Sequence, residues 1–300
     1  MPLHLTPLTR REFLRGAALA GAGLMMPRAL FAAENADDSH WALLSDPHIA
    51  GNADLVFRDV HLADHLRAAV QAVAALTERP AGVFVNGDCA LKDGQAQDYA
   101  TFTSLLKPLT DAGLPLHMTL GNHDDREHFW TALMPEKNAR PLQSKHVSLV
   151  EGSHANWVLL DSLDKTNSTP GLLDKEQREW LGKTLDEHAD KPTIVMVHHN
   201  PDFNAATTSG LVDSTELFEV LVPRQHVKAV IFGHTHRWEF KEKDGIHLIN
   251  LPAVAYPFAK EQPTGWTDCH LAAGGATFEL RAHDDKHPWH GEKKELKWRV

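Results

Sequence analysis

The chain has 300 residues, 42% apolar and 23% charged, the balance of a soluble globular protein with room for one large domain. Its net charge of −10 disfavours nucleic acid and anionic membranes as general partners, though not a small phosphorylated ligand held beside bound cations. Two cysteines, Cys89 and Cys269, are too few for a disulfide framework; the unusual residue is histidine, with 21 copies, many in short clusters.

Residues 1–35 read as an export leader and residues 36–300 as the mature domain. Residues 9–15 run Thr-Arg-Arg-Glu-Phe-Leu-Arg, and a weakly apolar stretch follows from Gly16 to Met26. That stretch falls short of the roughly 20 apolar residues of a membrane span, so no stable membrane insertion is expected. A basic start, a short apolar core and small residues at Ala32–Ala33 fit a secretory leader. Arg10-Arg11 followed by Phe-Leu resembles the twin-arginine motif. The implied partner is the twin-arginine export machinery, and the implied location is the periplasm or another exported compartment. Arg10, Arg11, Arg15 and Arg28 oppose Glu12 in the leader, which leaves the mature chain near −13.

Five short apolar runs predict buried strands: Trp41–Ser45, Val83–Asn86, Leu116–Leu120, Thr193–Val197 and Ala229–Phe232. Helical spacing lies between them, over Val60–Leu76, Ala96–Leu106 ahead of Pro108, Lys175–His188 and Ser214–Val222, the last capped by Ser214 or Asp213. Trp157–Leu160 and Ile246–Asn250 read as further strands, and Ala276–Val300 as edge strands broken by a polar loop. Strand–helix alternation without a repeat or linker implies a single α/β layered domain.

The chemistry lies just after the five strands. They are followed by Asp46-Pro47-His48, Gly87-Asp88, Gly121-Asn122-His123-Asp124, His198-His199 and Gly233-His234-Thr235-His236. Sites in open α/β sheets form at the carboxyl ends of strands, so five segments deliver metal-capable groups to one rim. In Asp46-x-His48 and His234-x-His236, extended backbone sends residues i and i+2 to the same side. Gly87, Gly121 and Gly233 allow sharp turns and close approach. A set of imidazole nitrogens with carboxylate or amide oxygens, and no thiolate, suits Fe, Mn, Zn or Co better than Ca or Mg. Each motif alone is weak; their joint order after successive strands is specific.

These blocks resemble the calcineurin-like metallophosphoesterases, and within them the class III cyclic-nucleotide phosphodiesterase type, over about residues 40–256. The resemblance implies a four-layer α/β/β/α sandwich with a dinuclear site at one edge. It assigns Asp46, His48 and His236 to one metal ion, Asn122, His198 and His234 to a second, and Asp88 to a bridge between them. The doubled histidine leaves His198 or His199 as ligand, and His198 is preferred because it directly follows its strand. His123 is expected over the substrate as a general acid or charge stabiliser, with Asp124 orienting it. The implied reaction is hydrolysis of a small phosphodiester by a hydroxide held between two transition-metal ions (Fe, Mn or Zn), with a phosphomonoester as the alternative substrate. A non-catalytic scaffold of the same fold would be expected to have lost ligands, and a closed structural zinc site would use cysteine.

Several residues are set aside. His61 and His65 share a helix face and are expected to be solvated, as are His283, His287 and His290 in the tail. Trp180 and Leu181 fit a core face. The loops Leu91–Gln95, Pro201–Ser209 and Pro252–Thr264 adjoin the ligand-bearing strand ends, which makes Asn200, Asp202, Asn204, Tyr256 and Phe258 candidates for substrate contact.

Overall fold

The computed structural model describes residues 37–134, 140–204 and 209–300; the leader and its expected cleavage region around residues 32–36 lie outside the described residues. The first half contains β1 (Asp37–Ser45), β2 (Val56–Phe57), β3 (Val60–His61), α1 (Leu62–Ala74), β4 (Pro80–Asn86), α2 (Ala96–Asp111), β5 (Leu116–Thr119), α3 (Arg126–Leu133), β6 (Ser148–Glu151) and β7 (Asn156–Leu159). The second half contains α4 (Lys175–Glu187), β8 (Thr193–Met196), α5 (Ser214–Leu221), β9 (Val227–Phe232), β10 (Glu239–Lys243), β11 (Ile246–Asn250), β12 (Gly265–Ala272), β13 (Gly275–Ala282) and β14 (Lys293–Lys297).

The strands form two six-stranded sheets, ordered β14-β13-β12-β1-β4-β5 and β10-β11-β9-β8-β7-β6, with β2 and β3 as a separate hairpin. Apolar runs become central strands because each buries both faces. In β1, Trp41 and Leu43 pack toward the second sheet, while Ala42 and Leu44 pack under the helices. In β8, Ile194 and Met196 face the first sheet, and Val195 joins the core beneath α4 and α5. Trp41, Phe84 and Trp157 meet in the middle, with the Phe84 and Trp157 ring centroids 4.5 Å apart. Helices α1, α2 and α3 contribute to the core outside the first sheet, and α4 and α5 to that outside the second. The result is the expected α/β/β/α sandwich. Both cysteines are buried and free. Among the described residues no helix is long and apolar enough to cross a membrane.

Four local expectations need correction. The helix expected from Val60 starts at Leu62, because Val60 and His61 pair with Phe57 and Val56 in the hairpin. The helix expected to end ahead of Pro108 runs through it to Asp111. Leu106 and Leu109 are both buried on that helix, and keeping their face continuous outweighs the donor that proline lacks. The tail does not hold only edge strands: β13 lies between β14 and the unforeseen β12, which pairs in turn with β1 in mid-sheet. His65 is not freely solvated either. Its Nδ1 lies 2.7 Å from the Ala255 carbonyl, and its ring packs 4.5 Å from that of His283. Burial, with His65 alongside, pushes His283 down to about 4.

Candidate metal centre

Parallel pairing of β1 with β4 and β4 with β5, and of β8 with β9, sends the following loops to the same ends of their strands. The sheets are tied at that edge by the Asn86 amide, which donates to the Val197 carbonyl over 3.2 Å. Five of the seven expected ligands lie where side chains seldom go. Asp46, His48, Asp88, His234 and His236 have φ of 52°, 49°, 47°, 66° and 51°, a left-handed conformation that costs free energy outside glycine. Such strain persists where the surroundings fix it, and here it turns one polar side chain after another into a common interior.

Two groups gather there. Asp46, His48 and His236 form one and Asp88, His198 and His234 the other, each with its ligand atoms within 4.8 Å of one another. Asp46 is fully buried, with its Oδ1 3.2 Å from His236 Nε2 and 3.9 Å from His198 Nε2. Asp88 stands between the groups: its Oδ2 is 3.7 Å from His48 Nε2 and 3.3 Å from His198 Nε2, and its Oδ1 accepts the His123 backbone N–H at 2.9 Å. Close approach is possible because side chains are missing at the turns. A Cβ on Gly121 would sit 2.2 Å from Asp88 Oδ1, and one on Gly87, already at φ +69°, would sit 2.4 Å from the His198 ring.

The electrostatics favour cations. Burial alone would raise the Asp46 carboxyl, but His236 and His198 bring it down to about 2. Burial also opposes ionisation of Asp88, yet His198 and His48 hold it well below the usual carboxylate range. His48 is pushed down to about 3 and His234 to about 4, in both cases chiefly by burial, which keeps these imidazoles neutral and their lone pairs available. The site also fits metal by its unmet valences. Asn122 Oδ1 and His198 Nε2 are buried without a hydrogen-bond partner. Such orphaned atoms cost about 1–3 kcal/mol each unless a ligand meets them. Backbone carbonyls orient the rings: His236 Nδ1 donates to Tyr256 O at 2.5 Å and His198 Nδ1 to Asn86 O at 3.0 Å, which turns both Nε2 atoms toward the carboxylates.

The doubled histidine separates cleanly in space. His198 Nε2 faces both carboxylates, whereas His199 Nδ1 turns to the Ser162 hydroxyl at 2.7 Å, and its ring packs 4.6 Å from that of His234. His123 stands at the rim with Nδ1 2.7 Å from the Lys92 carbonyl. The expected orienting contact from Asp124 is not made. Its buried carboxylate accepts the N–H groups of Cys89, Ala90 and Gly121 and the Tyr99 hydroxyl, clamping the loops that carry Asp88 and Asn122. Burial and the nearby Asp88 charge push Asp124 up to about 6, against the pull of those backbone donors. Orientation of His123 falls to a main-chain oxygen, which no side-chain motif announces.

A cavity of about 770 Å³ opens over the centre, lined by His48, Asp88, Asn122, His123, His234 and His236. Of the loop residues nominated for substrate contact, Asn200, Asp202 and Phe258 line it and Asn204 does not. Tyr256 lies behind the ligand histidines, stacked 5.1 Å from His48. None of Leu91–Gln95 lines the cavity, and residues 205–208 of the Pro201–Ser209 loop lie outside the described residues. Asn167, Thr169, Arg237 and Asn250 were not anticipated as lining residues. Asn250 carried a usable signal, since it ends β11 and β11 runs parallel to β9.

The profile of the family described as calcineurin-like phosphoesterase matches residues 41–238. The 3',5'-cyclic adenosine monophosphate phosphodiesterase CpdA of Pseudomonas aeruginosa is 27% identical over 245 residues, covering 81% of this chain and 85% of that protein. A 3',5'-cyclic-nucleotide phosphodiesterase of a Nostoc species is 26% identical over 227 residues, covering 74% of this chain and 81% of its own. The crystal structure of a dimetal phosphatase from Danio rerio superposes with a TM-score of 0.66 at 17% identity, over 86% of this chain and 98% of that one, a likeness of fold. The chain therefore belongs to the calcineurin-like phosphoesterases, and it is a metal-dependent phosphoric ester hydrolase.

Proposed function

We propose that the chain is an exported, dinuclear hydrolase of small phosphodiesters, of the class III cyclic-nucleotide phosphodiesterase type. The observation that carries this is the convergence of ligands from five strand ends, with the buried Asn122 Oδ1 left without a hydrogen-bond partner. Asp46, His48 and His236 would hold one ion, and Asn122, His198 and His234 the other. Asp88, which lies between His48 and His198, would be the carboxylate shared by both. Mixed nitrogen and oxygen ligands favour iron, manganese or zinc. When bound, such ions polarise the phosphoryl oxygens and bring the pKa of a water molecule toward neutrality.

The chain's own groups do the rest. His123 keeps Nδ1–H on the Lys92 carbonyl, which leaves Nε2 to carry a proton to the departing ester oxygen. The cavity continues past the ligands to Asn200, Asn250 and Arg237, and this extension supplies room and hydrogen-bonding groups for a second ester arm. The similarity to cyclic-nucleotide phosphodiesterases supports the same preference. Bis-p-nitrophenyl phosphate should be hydrolysed with kcat/KM at least about tenfold above that for p-nitrophenyl phosphate, a difference of about 1.4 kcal/mol in transition-state binding. The reverse order would make the enzyme a phosphomonoesterase.

Export by the twin-arginine machinery, with cleavage near residues 32–36, completes the proposal; its support is Arg10-Arg11 ahead of a weak apolar core. Replacing both arginines with lysine should trap the protein in the cytoplasm, as read by fractionation. Unchanged export of the lysine variant would assign the leader to another route.

A further inference from the structure

A cluster of aromatic side chains flanks the metal centre on the side of the β2–β3 hairpin. Val56 pairs with His61 and Phe57 with Val60, which leaves Arg58 and Asp59 as a two-residue turn. Their φ values are 52° and 63°, and such a turn ordinarily takes asparagine and glycine. Strain of this kind clusters at ligand sites. The Arg58 guanidinium carbon lies 5.7 Å from the Phe57 ring centroid, 5.1 Å from that of Tyr256 and 5.5 Å from that of Phe258. Among the described residues no carboxylate pairs with it. Phe258 joins this cluster to the site. Its ring stacks on that of the expected ligand His236, with centroids 4.1 Å and planes 14° apart, and it lines the cavity. Phe258 is 56% exposed and Phe57 37%.

Packing accounts for Tyr256, which is buried against His48. It does not account for Phe258, which rests on His236 and leaves over half of its surface open beside a polar cavity. An open ring next to a guanidinium without a counter-ion offers two flat surfaces, one apolar and one cationic, and both bind π systems. We propose that Phe258 and Arg58 form a stacking subsite for a planar, nucleobase-like arm of the ester, an inference that rests on the phosphodiesterase reading above. The arm that is not expelled lies over Phe258, whose stack on His236 fixes its place relative to the metal centre. Arg58 packs against that arm from the hairpin, and Phe57 and Tyr256 hold the guanidinium in position. Stacking accepts any base, so the subsite selects for a planar arm and not for one pattern of donors.

The test uses the full mature, metal-loaded enzyme and two diesters with the same leaving group, thymidine 5'-(p-nitrophenyl phosphate) and methyl p-nitrophenyl phosphate. The parent's kcat/KM should be at least about tenfold higher for the thymidine ester, chiefly through KM. Phe258→Ala should bring that ratio below about threefold, Phe258→Trp should preserve it, and Arg58→Ala should lower it part of the way. Any change in the metal centre common to both substrates cancels in the ratio. Inhibition by thymidine 5'-monophosphate relative to methyl phosphate, with p-nitrophenyl phosphate as the reporter substrate, measures the stack without a diester. Failure to turn over either diester would end the diesterase reading, and the subsite would then be decided by the inhibition ratio. Parent ratios near one in both measurements, or a parent ratio unchanged in Phe258→Ala, would overturn the proposal.

Discussion

Asp88→Ala is expected to empty the metal centre and reduce hydrolysis by more than about 10³-fold. Asp88 is 2% exposed and holds a left-handed φ of 47°, a conformation maintained by the loop around it. Its Oδ2 lies between His48 on one side and His198 on the other, and its Oδ1 anchors the His123 backbone. Alanine would remove the one anion common to both ligand groups, and with it the acceptor that seats His123. Two buried cations would then rest on Asp46 as their only carboxylate. Elemental analysis of the purified variant should find less than one ion per chain, with activity lost in proportion. Retention of two ions would remove Asp88 from the bridging role.

His123→Ala should act differently, lowering kcat by a factor of about 10²–10⁴ while leaving metal content unchanged. The side chain is tied to the Lys92 carbonyl and faces the cavity. A general acid matters in proportion to the basicity of the leaving group. The loss should therefore be small for p-nitrophenyl esters and large for alkyl esters, whose alkoxides require protonation. Equal losses on both would replace proton donation with stabilisation of phosphoryl charge. His123 also lies near His48 and Asp88 in a group able to hold an ion. Loss of metal from His123→Ala would accordingly make it a ligand.

The site was legible in the sequence because its ligands follow strands whose apolar runs are unbroken. Trp41–Ser45 and Ala229–Phe232 are buried on both faces, and that burial produces the continuous pattern. The missed β12 has the opposite character. Its outer face carries Asp268 and His270, which break the apolar run despite its central place beside β1. Helix α3 was missed because its eight residues include Arg126, Glu127 and His128, and only Phe129 and Trp130 are buried. Within the site, side chains could be named but their supports could not. The carbonyls of Lys92, Tyr256 and Asn86 fix the ring orientations of His123, His236 and His198, and main-chain atoms leave no residue signature. Asp124 was given the wrong task for the related reason that adjacency in sequence does not reveal which way a buried carboxylate turns.

The claim that two ions occupy the centre is tested most directly by metal counting in the active, unmodified enzyme. Seven candidate ligands from five strand ends exceed what one four-coordinate ion can use. Protein expressed in metal-replete medium should contain two transition-metal ions per chain. Chelation should abolish hydrolysis, and activity should return only as the second equivalent is restored. Full activity at one ion per chain, or in the chelated protein, would contradict the dinuclear assignment.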